Sequence, residues 1–240
     1  MDRNFSGLRG RRAGSVWVVA TAALMVAMAT AATPAMATNT TIAKLVSHGS
    51  SKTFDIHGTG SYSQQHWYHI QPGGNADVTV NDAFADRMIT SGLCTNLFPT
   101  VSCPSANVAG VKVTTSNTAD RIDVNGLALP VLIKTGPGDD VVRLANQSDI
   151  LTNNVVSVGK GTNTVIGGFG PDALHGGKDS DTLTGEAGAD KLIGNSGDDT
   201  IFADDGVEDD VIDCGAGDDT VYADAGLDDP SHDCEHVNLI

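Results

Sequence analysis

Between residues 158 and 202 the chain repeats itself five times at a period of nine. With first positions at 158, 167, 176, 185 and 194, the units read VGKGTNTVI, GGFGPDALH, GGKDSDTLT, GEAGADKLI and GNSGDDTIF. Position six is Asn163, Asp172, Asp181, Asp190 and Asp199; position eight is Val165, Leu174, Leu183, Leu192 and Ile201. Each unit is a glycine-rich turn followed by a three-residue β-compatible segment whose middle side chain can point inward. One such unit buries almost nothing, so neighbouring units must stack to share a core. No helical period survives for two turns after residue 37, and the fold class is all-β.

Stacking these turns has an electrostatic cost. It lines up the position-six carboxylates in rows, in a chain whose formal net charge is already −16. Evenly spaced acids among glycines are not the composition of a disordered acidic tail. A hard divalent cation would offset the repulsion, and calcium suits a site of carboxylates and backbone carbonyls because it takes six to eight oxygens at about 2.3–2.6 Å. Magnesium, with its tight octahedral demand, is the poorer match. A metal-free solenoid, with the aspartates acting only as turn formers, is the competing reading.

These units resemble the GGxGxDxUx nonapeptides of the RTX, or haemolysin-type, calcium-binding family. The resemblance implies a parallel β-roll, a right-handed β-solenoid in which two nonapeptides make one coil and each ion sits between turns eighteen residues apart. It implies ligands from the carbonyls of positions two and four of one turn, those of positions one and three of the next, and both position-six side chains. Carried onto this chain, one site takes Gly168, Gly170 and Asp172 with Gly185, Ala187 and Asp190. A second, on the facing row, takes Gly177, Asp179 and Asp181 with Gly194, Ser196 and Asp199. Asp179 stands where the family has its fourth-position glycine, and Glu186 and Asn195 where it has second-position glycines, which predicts strained turns. Asn154 and Asn163 replace aspartate and predict weaker sites. The insertion around residues 204–210 leaves the continuation of each row open.

The ends of the chain supply a context. Arg3, Arg9, Arg11 and Arg12 precede an apolar, alanine-rich stretch from Val16 to Ala32, and Ala35-Met36-Ala37 has the small-x-small pattern of a signal-peptide cleavage site. The first 37 residues are expected to direct Sec-type export and to be removed, leaving no stable membrane span. Their removal takes away four arginines and one aspartate and leaves 10 basic against 29 acidic residues, a balance that excludes a nucleic-acid partner. Residues 38–113 are read as a short β-rich segment and residues 114–240 as the roll with its C-terminal cap. Four cysteines in an exported chain predict disulfides. Of the three possible connectivities, Cys94–Cys103 with Cys214–Cys234 closes the shortest loops, the second stapling the cap. This arrangement resembles secreted calcium-binding repeat proteins of actinobacteria.

No HExxH, GxSxG or Walker loop occurs in the sequence. His66 and His69, three residues apart, fall on opposite faces of a strand and do not form a metal pair. The functional expectation is a secreted, non-enzymatic calcium-binding protein. The alternatives are a cell-surface or matrix adhesion protein that uses the calcium-rigidified roll as a scaffold for an envelope or extracellular partner, and a hydrolase with an unrecognised site.

Overall fold

The fold is given by a computed structural model describing residues 40–48, 51–59, 66–72, 77–82, 87–91, 95–97, 100–104, 108–145, 152–207, 211–231 and 233–240. Every regular element among them is a β-strand. No helix there is long and apolar enough to cross a membrane.

From Val108 onward the chain alternates between two parallel sheets. One receives Val108–Thr114, Val131–Lys134, Val155–Ser157, Ala173–His175, Lys191–Ser196 and Val211–Ala216; the other receives Arg121–Asn125, Val141–Ala145, Thr164–Ile166, Thr182–Thr184, Thr200–Ala203 and Thr220–Ala223. This is a parallel β-roll, as the nine-residue period predicts. Three-residue strands suffice because each needs to present one inward side chain. Leu174 pairs with Leu192 and Leu183 with Ile201, and all four are fully buried. Ile133, Val156 and Ile212 continue the first inward column, and Ile122, Val142, Val165 and Val221 the second. Burying one such side chain contributes about 1.5–3 kcal/mol, so a single coil is marginal and the stack is the cooperative unit.

Both sheets run on into the N-terminal strands. Ser51–Thr59 pairs in parallel with Val108–Thr114 and antiparallel with Thr40–His48. Trp67–Pro72 pairs in parallel with Arg121–Asn125 and antiparallel with Asp77–Asp82. Phe54, Ile56, Tyr68 and Ile70 give this end a bulkier core than the repeats possess. The expected signal segment and the Cys94–Cys103 bridge lie outside the described residues.

Candidate metal centre

Each position-six residue sits immediately before its strand, and its Oδ1 reaches back along the stack to the backbone N–H of the equivalent residue one coil earlier. In the second sheet's row Asp140 Oδ1 accepts from Asp120 N, Asn163 Oδ1 from Asp140 N, Asp181 Oδ1 from Asn163 N, Asp199 Oδ1 from Asp181 N, and Asp219 Oδ1 from Asp199 N, at 2.7–2.9 Å. In the first sheet's row Asn154 Oδ1 accepts from Val131 N at 3.1 Å, Asp172 Oδ1 from Asn154 N at 2.9 Å, and Asp190 Oδ1 from Asp172 N at 2.8 Å. One oxygen of every position-six side chain is thus spent on the ladder that holds successive turns together. Asparagine serves this purpose as well as aspartate; the second atom distinguishes them.

Where position six is Asp, the second oxygen faces its own turn. Asp172 Oδ2 accepts from Gly168 N at 3.0 Å and Asp181 Oδ2 from Gly177 N at 2.6 Å. In three later repeats the position-two residue has turned over: Glu186 has φ 68°, and in the last two Asn195 has φ 75° and Gly215 φ 95°. There Asp199 Oδ2 and Asp219 Oδ2 are buried and accept no hydrogen bond. Further back, Asp120 and Asp140 are buried as well, but each has a hydroxyl of its own turn, Thr115 or Thr135, within reach of its carboxyl group. A buried carboxylate oxygen without a donor costs stability on its own, a cost that a bound cation would offset.

The expected ligands are brought together in pairs. A Cβ on Gly167 would lie 2.3 Å from Gly185 O and 3.1 Å from Asp172 Oδ2, and one on Gly176 would lie 2.5 Å from Gly194 O and 3.0 Å from Asp181 Oδ2. Only glycine leaves these pairs of oxygens room to converge. Gly170 O and Asp190 Oδ1 likewise meet beside Gly188. Ala187 O accepts from Gly170 N at 2.7 Å, and Ser196 bridges to Lys178 within the stack of turns. Asp179, Glu186 and Asn195, the departures from the glycine pattern, have φ of 80°, 68° and 75°. They carry the left-handed strain expected of them, about 1–2 kcal/mol for an ordinary side chain. Asp179 regains part of it through Oδ2, which accepts from Gly161 N, and Asn195 through Nδ2, which donates to Gly176 O. Among the described residues no three His, Cys, Asp or Glu side chains gather at one metal-sized point, so a cation held here draws most of its oxygens from backbone carbonyls.

Burial dominates the electrostatics. It raises the carboxyl pKa of Asp120, Asp172, Asp181 and Asp219, and pushes Asp140 and Asp199 up to about 7. Neighbouring carboxylates add to the shift, Asp181, Asp219 and Asp198 at Asp199 and Asp120 and Asp139 at Asp140.

The sequence profile described as RTX calcium-binding nonapeptide repeat (4 copies) matches residues 157–192, 175–207 and 207–229. Residues 157–229 thus match RTX calcium-binding nonapeptide repeats. Among curated proteins and among solved structures, none matches the chain. The RTX match ends short of Asp120 and Asp140, which belong to the same hydrogen-bonded row. Their coils are 20 and 23 residues long instead of 18, and their turns open on Thr115 and Thr135 where four of the five strict units have glycine, so a nine-residue frame passes over them. The insertion at 204–210 lengthens its coil to 20 residues without breaking the row: Asp219 follows Asp199, answering for this row the question that the sequence left open.

The asparagine rungs close themselves. Asn163 Nδ2 donates to Asp181 Oδ1 at 2.8 Å and to Gly161 O at 2.9 Å, and Asn154 Nδ2 donates to Asp172 Oδ1 at 2.8 Å. The amide occupies acceptors of the kind that an RTX cation uses. Asn163→Asp is therefore expected to add one bound calcium ion per chain and to lower the melting temperature in chelator. Native mass spectrometry and thermal melts check this, and an unchanged ion count would contradict it.

Proposed function

We propose that the protein is an exported, non-enzymatic calcium-binding repeat protein whose roll is ordered by calcium. The observation that carries the reading is the set of buried, donorless carboxylate oxygens, with Asp199 Oδ2 inside the RTX repeats as the type case. The proposed ligand sets are Gly168, Gly170 and Asp172 with Gly185, Ala187 and Asp190, and Gly177, Asp179 and Asp181 with Gly194, Ser196 and Asp199. Calcium supplies the positive charge that these converging oxygens lack. This chain's residues fix its place: the Oδ1 ladder sets the spacing between turns, and glycine at 167 and 176 lets carbonyl and carboxylate approach. Recruiting Asp172 Oδ2 or Asp181 Oδ2 means displacing the Gly168 or Gly177 N–H, whereas Asp199 Oδ2 has no such competitor.

Extracellular modules bind calcium at about 10⁻⁴–10⁻³ M. With free ion at ten times Kd, each site adds about 1.4 kcal/mol to folding stability, so several sites together decide whether the repeats are folded. Circular dichroism is expected to show β signal gained on adding calcium and lost on chelation, with bound calcium in equilibrium dialysis. Unchanged signal with no bound ion would refute the reading. The basic, apolar, small-residue pattern of the first 37 residues supports the export half, and recovery from culture medium of a chain beginning at Thr38 checks it.

A further inference from the structure

Where the row ending in Asp199 and Asp219 runs out of repeats, a residue from outside any repeat takes the next place. Glu235 stands directly before the strand His236–Leu239, as each position-six residue stands before its own strand, and its Oε2 accepts from Asp219 N at 3.0 Å. The chain reaches this position by omitting a strand of the first sheet. After Thr220–Ala223 it passes Ile212, whose carbonyl accepts from Ser231 N, and returns to pair Thr220 with His236. Beside Glu235, Cys234 is disulfide-bonded to the buried Cys214, the first residue of the turn that carries Asp219.

Among the described residues, the charged groups that bear on Asp219 are all acidic. Asp219 is fully buried and its Oδ2 accepts no hydrogen bond. The donor that serves this oxygen in the 167 and 176 repeats, the position-two N–H, here goes elsewhere: Gly215 N donates to Asp233 Oδ2 at 3.2 Å. The negative charges of Glu235, Asp198 and Asp233 all bear on Asp219. His236 Nε2 lies 2.8 Å from Asp218 Oδ1, on the exposed flank. Beyond Lys191 the sequence has 15 carboxylates and no Lys or Arg. A disulfide that clamps one more carboxylate onto this end opposes simple electrostatics, unless a cation is held there.

We propose that Glu235, from outside the repeats, completes with Asp219 of the last repeat a terminal calcium site, and that the Cys214–Cys234 disulfide is its positioning element. The inference rests on the calcium reading above. Glutamate suits the place because its ligand comes from the end of an exposed strand, and the extra methylene lets it reach the buried row. The disulfide removes the freedom of the twelve-residue passage between the two strands, which otherwise has to be ordered at the moment of binding.

Native mass spectrometry of the full chain with calcium alone counts bound ions per molecule. Glu235→Gln keeps an acceptor for Asp219 N and removes only the charge; it is expected to bind one ion fewer than the unaltered chain. Cys214→Ser with Cys234→Ser is expected to lose the same single ion, and the triple variant still only one, because both changes act on one site. Full ion counts in Glu235→Gln, which would make Glu235 a hydrogen-bonding cap, or loss of two ions in the triple variant, overturn the proposal. If the cysteine variant lacks β signal in calcium, Asp219→Asn takes its place, and retention of every ion there overturns the proposal equally. An unaltered chain that binds no calcium overturns the underlying reading instead.

Discussion

Replacing Asp172, Asp181, Asp190 and Asp199 together by asparagine is expected to give a roll that folds in chelator and loses most of its response to calcium, keeping only what the terminal Asp219 and Glu235 site supplies, whereas replacing the same four by alanine is expected to unfold it under both conditions. The contrast follows from the two oxygens having separate roles. Oδ1 holds the ladder between coils, as Asn154 and Asn163 already do without a charge. Alanine removes that bond at four rungs, two in each row. At about 1.5–3 kcal/mol for a bond to a charged group, the loss is about 6–12 kcal/mol against a margin of about 5–15 kcal/mol for a whole domain. Asparagine keeps the bond and replaces Oδ2 with a donor, relieving the stacked negative charge while removing the cation's ligand. Chelator-dependent circular dichroism with ion counting separates the two. An asparagine variant that still requires calcium, or an alanine variant as stable as the parent chain, would show that the two oxygens are not divided in this way.

The nine-residue period made the roll legible because two of its positions answer to independent demands: position eight to the shared core, position six to the turn. Leu174, Leu183, Leu192 and Ile201 are buried for the first reason, and Asp172, Asp181, Asp190 and Asp199 line the rows for the second. The family resemblance supplied the ligand sets, and the structure brings several of those residues close in pairs, Gly185 with Asp172 and Gly194 with Asp181. The division of labour between the two carboxylate oxygens left no trace in residue spacing, since Asp and Asn fill the ladder equally. Asp120 and Asp140 were hard to place for a different reason. Their turns are separated by loops of unequal length, and register in a solenoid is set by strand pairing, not by residue count. Glu235 offered even less signal: it joins the row because a strand is skipped and a disulfide draws the chain back, neither of which a repeat frame contains.

The same buried carboxylates predict an inversion of pH dependence by calcium. Burial raises the carboxyl pKa of Asp140 and Asp199 to about 7 in the folded chain, while the unfolded chain keeps the ordinary value near 3.8. Between these values the folded state holds protons that the unfolded state has released. Each proton therefore favours folding, and the favourable contribution, complete below about pH 4, is lost as the pH rises through about 7. In chelator the roll is expected to melt at a lower temperature at pH 8 than at pH 5. Calcium reverses the balance because it binds the ionised form, so its affinity grows over the same interval as protons cease to compete. The rise in melting temperature produced by saturating calcium should then be large at pH 8 and small at pH 5. Asp199→Asn, which cannot titrate, should flatten part of both trends. Paired thermal melts at the two pH values, with and without chelator, measure all of this. A chelated roll more stable at pH 8 than at pH 5 would mean that these carboxylates are solvated or paired in the folded chain, and their burial would then create no need for a cation.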